Sequence, residues 1–260
     1  MTSRKTVLIT GAGSGIGRAL ALQAATLGFD LILSGRTKST LDETAGMIEN
    51  VAVKVIPADV TSPQGRADIV STVGGKLDIL INNAGTLSVG QIADITDAQI
   101  NQMVTTNFTA PMALTRDLLP ALENTNGRIV NIGSVFGDIA YPFFATYSAT
   151  KFGLRGFSDA LRRELSGKGV GVTYIAPRAT SSAVQAKFAS LIEPMDITLD
   201  TPEVVAEQAW VAILAGKRES FPKGKERFFV TIQRLFPSLI DKSVGAQARD
   251  PKVLDAVSSK

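Results

Sequence analysis

Short apolar runs rich in β-branched residues alternate along this chain with longer segments of helical periodicity. The runs are KTVLIT, DLILS, VAVKVIP, DILIN, RIVNIG and VGVTYIA. Strands that are apolar throughout and separated by helices indicate a parallel sheet buried on both faces. The alternation therefore predicts an α/β fold, a single-domain doubly wound parallel sheet with helices on both faces.

The helical segments are predicted at residues 16–27, 40–49, 98–122, 145–166 and 202–215. We expect one domain over residues 1–260, since no linker, repeat or low-complexity tract interrupts the pattern. After Pro177 the alternation gives way to a polar stretch of small residues, which leads through the segment LIEPMDITLD to the helix at 202–215. Because ligands of such sheets lie beyond the carboxyl ends of the strands, residues 178–202 are predicted to be an inserted substrate lid.

The composition excludes several classes of function. The chain has no His and no Cys, which excludes imidazole relays, thiol nucleophiles and the usual zinc sites, so no metal is predicted. The net charge of +3 comes from scattered Lys and Arg, which does not indicate a nucleic-acid surface. Without a secretory signal or an apolar run of about 20 residues, the protein is expected to be cytoplasmic.

Glycines follow the first predicted strand in the segment TGAGSGIG. They would let the backbone turn tightly and approach a pyrophosphate at the positive end of the next helix. The third glycine falls one residue later than in GxGxxG, and a glycine-rich turn could be only a tight connection. Its position at the end of strand one favours dinucleotide binding, as in a Rossmann fold. The candidate contacts are Gly11, Gly13, Ser14, Gly15, Ile16 and Gly17.

The end of the second strand discriminates between cofactors. Proteins that bind NAD usually carry an acidic residue there for the ribose hydroxyls. This chain has Ser34-Gly35-Arg36-Thr37 instead, with Asp30 at the opposite end of the strand and Asp42 inside the next helix. Arg36 could pair with a 2′-phosphate and stack on adenine, or could simply be solvated. We predict NADP (NADPH), with NAD as the weaker candidate.

Tyr147 and Lys151, in the segment YSATK, are four residues apart and would lie on one helix face. A phenol titrates near pH ~10, and a neighbouring ammonium favours the phenolate and brings its pKa toward working range. The pair could act as an acid–base device. Lys is common enough that the spacing alone could be incidental. The surrounding motifs therefore decide whether the pair is functional.

Further motifs follow one another along the chain in a recognisable order. They are Asp59 in ADVT, Asn83-Ala84-Gly85 in NNAG, Asn107 in VTTNF, Ser134 in IGSV, and Pro177. Together with TGAGSGIG and YSATK, they resemble the short-chain dehydrogenase/reductase family, in its one-domain branch. The resemblance covers roughly residues 5–215.

The resemblance implies an NADP-dependent oxidoreductase that transfers hydride between nicotinamide and a carbonyl or secondary alcohol. It implies that Ser134 orients the substrate carbonyl and Tyr147 is the acid/base. Lys151 would lower the pKa of Tyr147, and Asn107 would hold a relay water. The further cofactor contacts that it implies are Asp59, Val60, Asn83, Ala84, Gly85, Tyr147, Lys151, Pro177 and Thr180.

The resemblance also implies a homodimer or homotetramer. An apolar lid and tail suggest a hydrophobic ketone, aldehyde or acyl substrate. The alternatives are a non-catalytic dinucleotide-binding sensor or scaffold, and a membrane-surface reductase of lipid-like substrates. Two departures from the family pattern are Arg178, where Gly is common, and Thr180, where Val is more usual. Arg178 could bind the cofactor phosphates or an anionic substrate, or could point to solvent.

Residues 221–260 are predicted to be a C-terminal extension. Its segment 221–244 combines apolar residues with basic ones: Phe228, Phe229, Ile232, Phe236 and Leu239 with Lys223, Lys225, Arg227 and Arg234. We favour a cover over the substrate pocket or a subunit interface. Peripheral contact with an anionic membrane surface is the alternative. From about Gln247 onward we expect a frayed polar end.

Overall fold

Seven parallel strands form the centre of the computed structural model, which describes residues 4–258. The strands are β1 (Thr6–Thr10), β2 (Asp30–Gly35), β3 (Val53–Pro57), β4 (Ile79–Asn82), β5 (Arg128–Ile132), β6 (Gly171–Ile175) and β7 (Glu219–Ser220). Their order in the sheet is β3-β2-β1-β4-β5-β6-β7. The direction of winding changes between β1 and β4, which places a crevice at that switch point. The predicted doubly wound α/β fold is confirmed.

Eleven α-helices are present in the described residues. They are α1 (Gly15–Thr26), α2 (Lys38–Gly46), α3 (Pro63–Val73), α4 (Asp97–Val104), α5 (Ala110–Glu123), α6 (Ala145–Glu164), α7 (Ala189–Ile192), α8 (Pro202–Leu214), α9 (Glu226–Leu235), α10 (Pro237–Gln247) and α11 (Pro251–Ser258). The five predicted helices are present, with ends shifted by up to three residues. The segment predicted as one helix at 98–122 is α4 and α5 joined by a π-helical turn, Thr105–Thr109.

The strands bury side chains on both faces of the sheet because successive residues point in opposite directions. In β1, Val7 and Ile9 join the core beneath α1 and α8, while Leu8 joins the core beneath α5 and α6. The indole of Trp210 on α8 donates a hydrogen bond to the Leu20 carbonyl at 3.0 Å. Each layer of helices therefore closes one face of the sheet.

A frayed polar end from about Gln247 onward was predicted, and within the described residues, which end at 258, that prediction was wrong. Residues 251–258 form α11, whose Val253 and Val257 are buried against Phe188 and Leu191 of the predicted lid. Two apolar residues four positions apart are enough for one helix face. In a segment of only eight residues, they are a weak signal until the partner surface is known. The helix packs on the lid and contributes no side chain to the cleft.

None of the helices within residues 4–258 has the combination of length and apolar character needed to cross a membrane.

Candidate active site

A cleft of about 510 Å³ lies beyond the carboxyl ends of the central strands. All the predicted cofactor residues line it: Gly11, Gly13, Ser14, Gly15, Ile16, Gly17, Arg36, Asp59, Val60, Asn83, Ala84, Gly85, Tyr147, Lys151, Pro177 and Thr180. Ser134 also lines the cleft, whereas Asn107 does not. The sheet therefore brings residues from distant parts of the sequence to one edge.

The glycine turn after β1 forms a cradle that side chains would fill. Gly11 and Gly15 have φ angles of +66° and +51°, a region that L side chains rarely adopt. A Cβ at Gly17 would collide with the Gly11 carbonyl. The amide of Asn83 donates to the carbonyls of Thr10 and Gly11 at 2.9 and 3.2 Å, which holds the turn in place. The backbone N–H groups at the start of α1 are thus open to a pyrophosphate.

Arg36 is exposed at the end of β2, where it lines the cleft beside Asp59. Burial alone would raise the pKa of Asp59, but hydrogen bonds from Thr61 and the charge of Arg36 lower it overall. Asp42 is paired with Lys38 at 2.7 Å, and Asp30 binds the Ala52 amide at the far end of β2. Arg36 is therefore the cation that lines the cleft at the end of β2.

Tyr147 and Lys151 lie one turn apart on α6, and both line the cleft. The Lys151 ammonium lies 5.6 Å from the centre of the Tyr147 ring and donates to the Ile132 carbonyl at 2.9 Å. Ser134, at the end of β5, accepts a hydrogen bond from the Phe136 amide at 3.1 Å. A phenol, a hydroxyl and an ammonium thus meet at one wall of the cleft.

The pKa of Tyr147 is shifted in the opposite direction from the one expected from the sequence. Burial raises the pKa of Tyr147 to about 12, although a hydrogen bond with Ser134 lowers it in part. Burial also lowers the pKa of Lys151 to about 8. The predicted shift of the phenol toward neutral pH is therefore reversed in the protein, because removal from water opposes the charged form of both groups.

Because its pKa is lowered in the folded protein, Lys151 makes the free energy of unfolding depend on pH. Its pKa is about 8 in the folded protein against 10.5 for the ordinary group. Between these pH values the unfolded chain binds more protons, so stability rises with pH by up to about 1.4 kcal/mol per unit. We expect Lys151→Met to remove this rise in guanidinium unfolding curves recorded across that window, and Lys217→Met, at an exposed lysine, to keep it. Identical pH slopes for both variants would contradict the assignment.

Asn107 lies in the π-helical turn, one layer behind the cleft wall. Its amide oxygen accepts from the Thr86 N–H at 2.7 Å, and its amide nitrogen donates to the Thr86 carbonyl at 2.8 Å. A longer bond of 3.3 Å reaches the Thr150 hydroxyl. The side chain therefore fixes the loop after β4, and the relay water expected beside it stays a prediction.

A tyrosine beneath the Ser134 loop was not predicted. Tyr174 of β6 is buried, and its hydroxyl both accepts from the Ser134 N–H and donates to the Ser134 carbonyl, each at 3.3 Å. A Cβ at Gly133 would collide with the Tyr174 ring, and a Cβ at Gly137 would collide with the Tyr174 hydroxyl and the Lys151 carbonyl. The backbone that presents Ser134 therefore rests on an aromatic ring that fits only between two glycines.

A buried ion-pair network extends from the same loop to the C-terminal segment. Arg155 of α6 binds Asp138 at 2.8 Å and Glu219 at 2.7 Å, and Arg234 of α9 binds Asp138 at 3.0 Å. The Arg155 guanidinium also lies 5.3 Å from the centre of the Tyr174 ring. Burial raises the pKa of Asp138, and the two arginines offset that rise in part.

Arg178 lies at the start of the predicted lid and lines the cleft. Its guanidinium lies 2.9 Å from Asp200 and 3.0 Å from Glu226, and it donates to the Lys223 carbonyl at 2.7 Å. These carboxylates compensate its charge within the protein. Arg178 therefore connects both ends of the lid to the start of α9.

The part of the cleft next to Tyr147 is apolar. Leu87, Phe136, Phe144, Val184, Phe188 and Ile197 line it. The last three belong to the predicted lid, so the described structure is compatible with that role. A small hydrophobic group of a substrate would fit this part of the cleft, because few polar side chains there would lose bound water.

A glycine cradle at the switch point of a parallel sheet, with Tyr, Lys and Ser beside it, defines a dinucleotide-binding α/β protein. The family model described as short chain dehydrogenase matches residues 5–191. The chain belongs to the short-chain dehydrogenase family, and it is an oxidoreductase that uses a nicotinamide dinucleotide.

Individual relatives agree with this assignment. Ketoacyl reductase HetN of Nostoc sp. is 36% identical over 219 residues, which cover 80% of this chain and 75% of that protein. A short-chain dehydrogenase from Sphingobium yanoikuyae in complex with NADPH has 30% identity and a TM-score of 0.79, with 91% and 96% of the two chains covered. A 3-ketoacyl-(acyl-carrier-protein) reductase from Brucella melitensis complexed with NADH has 26% identity and a TM-score of 0.76, with 84% and 96% covered.

Proposed function

We propose that this protein is an NADP-dependent oxidoreductase that interconverts a hydrophobic carbonyl compound and its secondary alcohol. The observation that carries the proposal is the meeting of Ser134, Tyr147 and Lys151 at the wall of a glycine-cradled cleft. These groups supply a hydrogen-bond donor, a proton donor and a cation within one site. A sensor or scaffold that only bound dinucleotide would not require all three.

The proton chemistry follows from the pKa values of the site. The bound nicotinamide supplies or accepts the hydride. With a pKa of about 12, the Tyr147 phenol is protonated at neutral pH and can give its proton to the oxygen of a carbonyl substrate. Ser134 donates a hydrogen bond to the same oxygen and stabilises its developing charge. In the direction of alcohol oxidation, the phenolate form of Tyr147, which the positive charge of Lys151 favours, accepts the proton of the alcohol.

Lys151 supports Tyr147 and the cofactor. One of its three N–H donors is used by the Ile132 carbonyl, which leaves two for the cleft. Its positive charge favours the phenolate that forms when Tyr147 gives up its proton. The ribose hydroxyls of the nicotinamide half are the expected acceptors of its remaining hydrogens. Asn107 is proposed to act through the loop that it fixes and through a relay water.

The preference for NADP rests on Arg36. The exposed guanidinium lines the cleft at the end of β2, where a carboxylate for the ribose hydroxyls is missing from the sequence. A planar guanidinium binds a phosphate with two parallel hydrogen bonds. The relatives named above include complexes with NADPH and with NADH, so they do not distinguish between the two cofactors. The proposed preference therefore depends on the residues of this chain.

Arg36→Asp tests both the reaction and the cofactor preference. We expect the natural chain to reduce hydrophobic ketones, aldehydes or β-ketoacyl compounds from a test panel faster with NADPH than with NADH. The substitution should lower kcat/KM for NADPH about tenfold to hundredfold, because a charged hydrogen-bond partner is lost. Lys38→Asp is the matched control, since Lys38 is an exposed cation two positions away that does not line the cleft.

Two outcomes of this experiment would contradict the proposal. An unchanged NADPH/NADH ratio in Arg36→Asp would remove the 2′-phosphate argument. Absence of turnover across the panel with either cofactor would favour the sensor or scaffold. A homodimer or homotetramer, a cytoplasmic location and the lid role of residues 178–202 stay predictions.

A further inference from the structure

The C-terminal hairpin of α9 and α10 carries an exposed apolar surface. We define the apolar face as Phe228, Phe229, Leu235, Phe236 and Leu239, whose exposed fractions are 65%, 42%, 65%, 59% and 56%. Phe228, Phe229 and Leu235 lie on α9, Phe236 lies between the two helices, and Leu239 lies on α10, so five exposed apolar residues cluster within one short segment. Single exposed apolar residues are ordinary, but a patch of this kind marks an interaction site.

The opposite side of the hairpin is held firmly by the body of the protein. Val230 and Ile240 are buried against Ile139. Arg234 binds the buried carboxylate of Asp138 at 3.0 Å, and Glu226 binds Arg178 at 3.0 Å. The hairpin therefore has one face committed to the fold, and its apolar face points outward.

Basic residues flank the apolar face in the sequence. Lys223, Lys225, Arg227 and Lys242 are exposed, and none of them has an ion pair among the described residues. Asp241 is the one exposed acidic residue within 221–247, since Glu226 is engaged by Arg178. Phe and Leu with a basic rim are the composition of helices that lie on anionic lipid.

We propose that the apolar face docks on an anionic lipid surface, with Phe and Leu side chains at the acyl boundary and the basic rim against the headgroups. The charge distribution favours lipid over a second copy of the chain. A self-complementary interface would bring two sets of uncompensated cations together, which opposes association. The same cations are attracted by an anionic leaflet. The surface adjoins the cleft through Arg178, and the inference does not depend on the reaction proposed above.

Co-sedimentation with vesicles tests the apolar part of the proposal. The full chain should bind phosphatidylcholine vesicles that contain phosphatidylglycerol, and bind phosphatidylcholine alone much more weakly. Phe236→Ser with Leu239→Ser should weaken binding about tenfold or more. Val211→Ser with Leu214→Ser is the matched control, because these residues of α8 have the same spacing and exposed fractions of 58% and 57%. The control should bind as the natural chain does.

A separate variant tests the contribution of the basic residues to vesicle binding and leaves the apolar packing intact. Lys223→Gln, Lys225→Gln and Arg227→Gln together should weaken binding to the anionic vesicles roughly hundredfold, about fivefold for each residue. Failure of the natural chain to bind, equal binding to neutral vesicles, or retained binding by either variant would overturn the proposal. Loss of a dimer in Phe236→Ser with Leu239→Ser, without vesicle binding by the natural chain, would assign the face to a second copy.

Discussion

Tyr147→Phe is expected to lower kcat by about 10²- to 10⁴-fold, the range by which positioned proton donors accelerate reactions. The substitution removes only the hydroxyl, while the ring keeps its edge contact with Phe136, whose centre is 6.3 Å away. The cradle after β1 and Arg36 are untouched, so the Kd for NADPH should change little. Stopped-flow or steady-state loss of NADPH absorbance, with fluorescence titration of the cofactor, measures both quantities.

Tyr141→Phe is the matched control for that experiment. Tyr141 lies in the same aromatic cluster, stacked on Phe136 with ring centres 4.8 Å apart, but it does not line the cleft. Its loss of a hydroxyl should leave kcat within a small factor of the natural value. Turnover retained in Tyr147→Phe would reject the acid/base role. An equal loss in both variants would indicate disturbed packing instead of lost proton transfer.

Arg155→Met is expected to lower the free energy of unfolding by about 3–5 kcal/mol, the cost of removing one partner from a buried ion pair. The substitution leaves Asp138, which is 5% exposed, with Arg234 as its remaining cation. It also leaves Glu219 without its partner and removes the cation above the Tyr174 ring. Guanidinium unfolding followed by circular dichroism measures the change.

Two further variants isolate the buried charge as the cause. Arg163→Met changes an exposed arginine on the same helix and should alter stability by less than about 0.5 kcal/mol. Adding Asp138→Asn to Arg155→Met should recover part of the loss, because the buried carboxylate that has lost one of its two cations becomes neutral. A loss below about 1 kcal/mol in Arg155→Met would show that the network contributes no more than a surface pair.

Features encoded by neighbouring residues were predictable from the sequence. The apolar strands, the positive-φ glycines at 11 and 15, and the four-residue spacing of Tyr147 and Lys151 each depend on a short segment. Helix α3 was missed because few of its residues are apolar; Gly65 and Ile69 are its buried positions. A helix with so little apolar surface has almost no periodic signal.

Features that join distant segments were not predictable. Arg178 is engaged by Asp200 and Glu226, partners that only the folded chain brings to it. The spacing of Tyr147 and Lys151 predicted their proximity but not their desolvation, which raises the pKa of one and lowers that of the other. The direction of such a pKa shift depends on how deeply the group is buried, and burial is determined by the tertiary structure.

The contact of Tyr174 with Gly133 and Gly137 restricts how this protein can evolve. A side chain added at Gly133 would meet the Tyr174 ring and one added at Gly137 would meet its hydroxyl, while a smaller residue at 174 would open a void under Ser134. A single substitution at these positions therefore disturbs the packing, and we expect tolerated changes to occur as paired replacements. Natural variation is therefore expected sooner at residues 178–202, the predicted lid, than at these three positions.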